Sequence, residues 1–252
     1  MDSPALVLVG DRFESFGALD GAITVSTMAR ILEKSNVDPE RLPTQLVLGQ
    51  GVSESWWLHL RQLAEERGIP QLFRSDIPIF KRAGRRVCHK ALRRNVLVTE
   101  PEKIDDDLFA MELIIDDENE IMTDHVTGHH IQGMLLIEAS RQAFIAVTEK
   151  YVVSGTQEFY YVLSSIDSHF LHFAFPVATK LLLRINKIDA TREDKLKIST
   201  DIEFHQNGKI VCKISINYMA TLAENIAAKE KRLAVVALQS GCKYEYRQVA
   251  LA

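Results

Sequence analysis

Cysteine is scarce and odd in number: Cys88, Cys212 and Cys242 stand far apart along 252 residues. Neither a disulfide framework nor a zinc-ligand spacing can be written with them, so reduced thiols are expected. No apolar run approaches the roughly 18 residues of a membrane-crossing helix. The first residues, MDSPALVLVGDRF, lack the basic start and apolar length of a secretory leader. These absences lead to the expectation of a cytoplasmic protein without a membrane span. An excess of basic charge is missing too: 34 acidic against 30 basic side chains leave a net charge of −4, which gives nucleic acid no general field to bind. The one basic cluster, Lys81-Arg82-Ala83-Gly84-Arg85-Arg86, reads as a solvated linker. Neither a GxGxxG pattern nor a P-loop occurs, so no nucleotide cofactor is expected.

What is present is an ordinary globular mix, 46% apolar and 25% charged, long enough for one large or two modest domains. ALVLVG, residues 5–10, reads as a buried strand. TVSTMARILEK, from Thr24, has helical spacing with Thr24 or Ser26 as cap, and TQLVLG, from Thr44, reads as a second strand. WWLHLRQLAEERG follows as a helix capped by Ser53 or Ser55, with QLF at 71–73 as a third strand. Strand, helix, strand, helix, strand describes a small parallel α/β sheet. Gly49-Gln50-Gly51 has two readings, backbone amides that hold an anion or a tight strand-to-helix turn.

After a basic stretch the pattern changes. NVLVT (95–99) and LFAMELIID (108–116) read as strands. Met134–Tyr151 is apolar almost all round, which marks a buried helix. FYYVLSSIDSHFLHF, KLLLRINKID and a long hairpin follow as strands, and Leu222–Leu238 as a helix. In the hairpin, Leu196, Ile198, Thr200, Ile202 and Phe204 alternate on one face, and Ile210, Cys212, Ile214, Ile216 and Tyr218 alternate on the partner. Bringing both sets to one face predicts a three-residue loop, Gln206-Asn207-Gly208, with Phe204 opposite Ile210. The fold class is therefore α+β: a small α/β unit at 1–80, a linker at 81–94, an antiparallel sheet around one buried helix at 95–221, and a C-terminal helix and tail at 222–252. That second arrangement is the hotdog. Its sheet covers one side of the helix and leaves edge strands in need of partners, which predicts a homodimer.

The densest polar stretch lies between these halves: Asp124-His125-Val126-Thr127-Gly128-His129-His130-Ile131-Gln132-Gly133, running into the buried helix with Glu138 and Arg141. Polar groups bound for a buried place need partners or a task. A carboxyl among apolar walls has a raised pKa and suits a general acid, and a histidine near neutrality suits a base. The competing reading pairs Glu138 with Arg141, three residues on, as a structural ion pair. The Gly133 amide could form an oxyanion hole at the helix start, with Gln132 as a further donor; loop closure is the alternative. Gly128 breaks the helical spacing that a His125–His129 metal pair needs, so no metal is expected.

DHVTGHHIQGMLLIEASRQAF resembles the hotdog domain of the A-factor biosynthesis (AfsA) family, related at a distance to the acyl-carrier-protein dehydratases. The match runs from Val87-Cys88-His89-Lys90 through NVLVTEP to about Tyr218. The best-known members resemble two hotdogs in tandem, whereas the first third here reads as α/β. The resemblance implies a thioester substrate on acyl-carrier protein or CoA, in secondary-metabolite or signal biosynthesis. The chemistry implied is condensation or dehydration/hydration, with thioesterase or a non-catalytic acyl- or carrier-binding module as alternatives. It also implies a loop histidine, His125 or His130, and the acid Glu138 as catalytic residues. Asp124, His129, Gln132, Gly133 and Arg141 are assigned around the substrate.

Overall fold

The computed structural model describes residues 5–34, 42–73, 81–124, 128–153, 157–192 and 194–241. The apolar run Leu6–Val9 (β1) is the central strand of a parallel sheet. Ala22–Thr24 (β2) and Leu46–Leu48 (β3) flank it in the order β2-β1-β3. Short helix α1 (Glu14–Gly17) precedes β2; α2 (Val25–Glu33) and α3 (Glu54–Glu66) follow β2 and β3. Thr24 and Ser53 accept from the Thr27 and Trp56 amides and so cap α2 and α3. α3 turns Trp57 inward, edge-on to Phe73 with ring centroids 4.9 Å apart.

Residues 71–73 are not the third strand. Pro70–Leu72 is a 3-10 turn, and only Phe73 forms a bridge, to Leu46. Pro70 brings no N–H to a ladder and a fixed φ that suits a turn. The third strand is β2, three residues embedded in a stretch rich in turn formers.

The larger sheet comprises β4 (Glu102–Lys103), β5 (Leu108–Glu112), β6 (Phe159–Phe170), β7 (Lys180–Arg192), β8 (Lys195–Gln206) and β9 (Lys209–Leu222). All its pairings are antiparallel, in the order β4-β5-β7-β8-β9-β6. Short α4 (Glu120–Thr123) leads to the buried helix α5 (Gly133–Val147), prolonged by a π-helical turn at Thr148–Val152. α6 (Ala223–Gly241) leaves the end of β9. Leu135, Leu136, Ala139, Ala143 and Phe144 of α5 pack on Phe204, Ile214, Ile216 and Tyr218 of the sheet. Phe144 stacks on Tyr218 at 4.1 Å, and Thr148 shares a 2.7 Å hydrogen bond with the Tyr218 hydroxyl. This is a hotdog, with the small parallel sheet beside it. NVLVT is not a regular strand: it runs extended after a 3-10 turn at Arg93–Asn95 and joins its neighbours through the isolated bridges Arg82–Thr99 and Val98–Leu113.

The β8–β9 hairpin corrects the predicted loop. The turn has two residues, Asn207 (φ 49°) and Gly208 (φ 75°), and Gln206 faces Lys209. Phe204 lies opposite Cys212, not Ile210, because the register shifts between Phe204 and His205. Val211 is the extra residue of a β-bulge. The bulge brings both apolar sets to one face, as the longer loop would have done, and keeps the favoured Asn-Gly turn. Further register shifts in β6 and β7 help bend the sheet around α5.

Two polar side chains bind the layers together. Gln50, 5% exposed, donates to the Leu113 carbonyl at 2.9 Å and to that of Val177 at 3.3 Å, and accepts from the Ile115 amide at 2.8 Å. The Gly51 amide donates to the Ile115 carbonyl. Gly49-Gln50-Gly51 therefore joins the small sheet to the hotdog. Gly51 has φ 78°, and a Cβ on Gly10 would lie 1.8 Å from the Gly51 carbonyl oxygen. The second is Arg82, placed in a solvated linker by the sequence pattern. It is buried, donating to the carbonyls of Val96 and Ile114 and pairing with Asp116 at 3.1 Å. Among the described residues no helix is long and apolar enough to cross a membrane.

Candidate active site

Glu138 stands on the second turn of α5 with four donors around its carboxylate. Lys90 Nζ lies 2.6 Å from Oε1, which also accepts from Arg141 Nη2 and Gln142 Nε2, both at 2.9 Å; Arg141 Nε donates to Oε2 at 2.8 Å. Helical geometry places residues three and four apart on one face, which accounts for Arg141 and Gln142. Lys90 comes from the turn ahead of the extended segment. Gln142 is fully buried and also holds that segment, accepting from the Leu97 amide and donating to the Asn95 carbonyl, each at 2.8 Å.

The charge state follows from this crowding. Burial pushes the Glu138 carboxyl up, but the hydrogen bonds and charges of Arg141, Lys90 and Gln142 outweigh it and leave the pKa below the ordinary glutamate value. The direction is opposite to the raised pKa expected from the apolar neighbours and leaves the group an anion at neutral pH. Arg141 is raised, first by its bond to Glu138. Cys88 is buried next to this cluster; burial, then the charge of Glu100, raises its thiol to about 12, so it stays protonated.

A cavity of about 560 Å³ opens beside the cluster. Ile121, Met134, Ile137 and Ile166 form an apolar wall, Glu138 and Arg141 a charged floor, and Glu120, Asp124 and Gln132 complete the lining. Arg141 Nε and Nη2 are held by Glu138; among the described residues nothing accepts from Nη1. The cavity therefore sets an apolar wall beside three carboxylates, Glu120, Asp124 and Glu138, and one cation, Arg141, whose position Glu138 fixes.

Of the residues expected around the substrate, Asp124, Gln132, Glu138 and Arg141 share this cavity. Gln132 is nonetheless tied down, its side chain donating to the Ile121 carbonyl at 2.6 Å. Gly133 is the first residue of α5, and a Cβ there would lie 2.9 Å from the Phe170 ring, so glycine permits that contact. His129 is exposed, and His130 is half-buried against Phe173 with ring centroids 4.9 Å apart; neither lines the cavity. His125 lies outside the described residues. Lys90 and Gln142 were missed. A polar residue at i+4 from Glu138 on an apolar helix was a usable signal for Gln142. For Lys90 the one signal was its place in the Val87-Cys88-His89-Lys90 stretch where the family resemblance begins, since nothing in spacing links it to α5.

The model of the A-factor biosynthesis hotdog domain matches residues 74–222. That is more than half of the chain, and the chain belongs to this family. None of the curated proteins matches the sequence. Solved structures similar to the chain include a thioesterase mutant from Pseudomonas aeruginosa, at 17% identity and a TM-score of 0.38, covering 50% of this chain and 81% of that one. Another is a thioesterase mutant from Staphylococcus aureus, at 10% identity and a TM-score of 0.36, covering 48% and 91%.

Proposed function

We propose that the protein is an enzyme acting on acyl thioesters, with the acyl chain along the apolar wall and the thioester carbonyl at Arg141. The observation that carries this reading is the Glu138–Arg141 pair, backed by Lys90, lining a cavity with an apolar wall in an AfsA-type hotdog domain. Arg141, locked by Glu138, offers Nη1 to a carbonyl oxygen as negative charge builds on it. Such oriented donors lower the barrier to enolate or tetrahedral oxyanion formation. Glu138 holds the cation and accepts hydrogen bonds as an anion; proton transfer is assigned, on the family resemblance, to a loop histidine, His125 or His130, of which His130 stands outside this cavity against Phe173. The carrier is an acyl-carrier protein or CoA, and the reaction is condensation or dehydration/hydration in secondary-metabolite or signal biosynthesis. A second copy completes the assembly along β6, the sheet edge, where Tyr160, Leu163 and Phe170 are exposed. The neighbouring α6 also exposes Leu233, Val235, Val236 and Leu238.

The ion pairing of Glu138 with Lys90 and Arg141 favours one other reading, a module that binds acyl thioesters without turning them over. Wild type, Glu138→Gln, Arg141→Lys and His130→Asn are each incubated with saturated, 3-oxo and 3-hydroxy acyl-CoA and acyl-pantetheine thioesters and followed by mass spectrometry. Arg141→Lys, which loses the two-point grip on Glu138, is expected to slow turnover about 10²- to 10³-fold. Wild type that binds but never converts a thioester establishes the binding module. Variants that all keep wild-type turnover remove the site assignment.

A further inference from the structure

The turn that delivers Lys90 closes with a left-handed residue that carries a full side chain. The Lys90 amide donates to the Arg85 carbonyl at 2.8 Å and the His89 amide to that of Arg86 at 3.1 Å. This pair of bonds is the Schellman closure, whose left-handed position glycine usually fills. Here His89 fills it, with φ 51°. A Cβ in that region is strained, and such strain persists only where the surroundings hold it.

The His89 side chain shows what holds it. Its Nε2 lies 3.6 Å from Glu149 Oε1, and its ring meets the edge of Tyr161 at 5.3 Å. Tyr161 donates its hydroxyl to the same Glu149 oxygen at 2.8 Å. Glu149 itself sits on the π-helical turn at the end of α5, a second departure from regular backbone. The nearby His89 imidazole and the Tyr161 hydroxyl bond bring the Glu149 carboxyl below its ordinary range despite burial. Lys150, next along, turns to the Pro101 carbonyl and Glu100 and leaves Glu149 to His89. Glu149 and Glu138 are eleven residues apart on one helix, about three turns, and so share a face. Consecutive residues of one strained turn thus grip both carboxylates, His89 on Glu149 and Lys90 on Glu138.

We propose that His89 is a positioning residue: anchored on Glu149 and Tyr161, it fixes the left-handed turn that sets Lys90 against Glu138. The proposal rests on the site described above, and its test needs no turnover. In the full chain, the Glu138 carboxyl is titrated by carbon-13 NMR in wild type, Lys90→Met, His89→Ala, His89→Gly and the Lys90→Met/His89→Ala double variant, with folding checked by circular dichroism. Lys90→Met is expected to raise the titration midpoint of Glu138 by about one pH unit, as loss of a close cation does. His89→Ala raises it by at least half as much, and the double variant no further than Lys90→Met alone. His89→Gly is the deciding variant, because glycine relieves the backbone and the fold survives. A raised midpoint with an unchanged or higher Tm supports the anchor. An unchanged midpoint in His89→Gly overturns it, since the turn then holds Lys90 unaided. Additive shifts in the double variant overturn it as well. If instead Glu138→Gln leaves turnover intact, the functional reading fails while the NMR result stands.

Discussion

Glu138 and Asp117 show how two carboxyls on one chain are driven opposite ways. Burial acts on both in the same direction. Around Glu138 it is outweighed by two cations and an amide; around Asp117 it is reinforced by the charge of Asp116, and the pKa rises to about 6. Asp117 Oδ1 is buried without a hydrogen-bond partner among the described residues. The signs follow by linkage. Glu138, depressed in the fold, contributes stability above the ordinary carboxylate range, and that contribution is lost as the pH falls through its folded midpoint. Asp117, raised in the fold, contributes stability below the ordinary aspartate range, and that is lost as the pH rises through about 6. Asp117→Asn is therefore expected to stabilise the protein at pH 8 by about 1 kcal/mol, the shift being discounted for partial exposure. Its advantage should fade toward pH 4. Thermal melts of the two proteins from pH 4 to 8 check this; a constant difference across the range rejects it. The raised pKa expected for Glu138 came from its apolar neighbours in sequence. The donor that helped reverse it, Lys90, lies far upstream and is brought there by folding.

At the scale of elements, the hairpin and the Gln50 strut show two limits of pattern reading. Alternation in β8 and β9 correctly required both apolar sets on one face. It could not say where the odd residue goes, because a three-residue loop and a bulge satisfy the same parity. The chain bulges at Val211, which leaves Asn207-Gly208 in the turn that its positive φ values favour. Gln50 reads locally as part of a glycine turn, yet its three hydrogen bonds end on residues of the hotdog. Gln50→Ala leaves the Ile115 amide and Leu113 carbonyl buried and unpaired, at about 1–3 kcal/mol each. The expected total of about 2–4 kcal/mol corresponds to a Tm lower by about 5–10 °C. Calorimetry measures it, and a fall of less than about 2 °C, under 1 kcal/mol, would mean that the strut carries no load.

For the whole molecule, the open question is what covers β6. Its outer edge has no strand beside it among the described residues, and the proposed dimer supplies one. Light scattering during size-exclusion chromatography should give twice 28.5 kDa for wild type. Leu163→Lys, a charge on that edge, should return the single-chain mass. A wild-type protein that runs as a single chain at micromolar concentration sinks the dimer.

By itself the sequence determined what repeats along it: the helical and alternating periods, the all-apolar face of α5, the strand-helix alternation before it, and the DHVTGHHIQGM motif that marks the family. These are local properties, and burial acts on them one element at a time. Only the tertiary structure decided that Ala22–Thr24 rather than QLF completes the small sheet, that Arg82 is buried, that Gln50 spans two layers, and that Lys90 and Gln142 join Glu138. Each depends on groups distant in sequence meeting where water is excluded. There, the sign of a charge interaction and the worth of a hydrogen bond are set by every neighbour present.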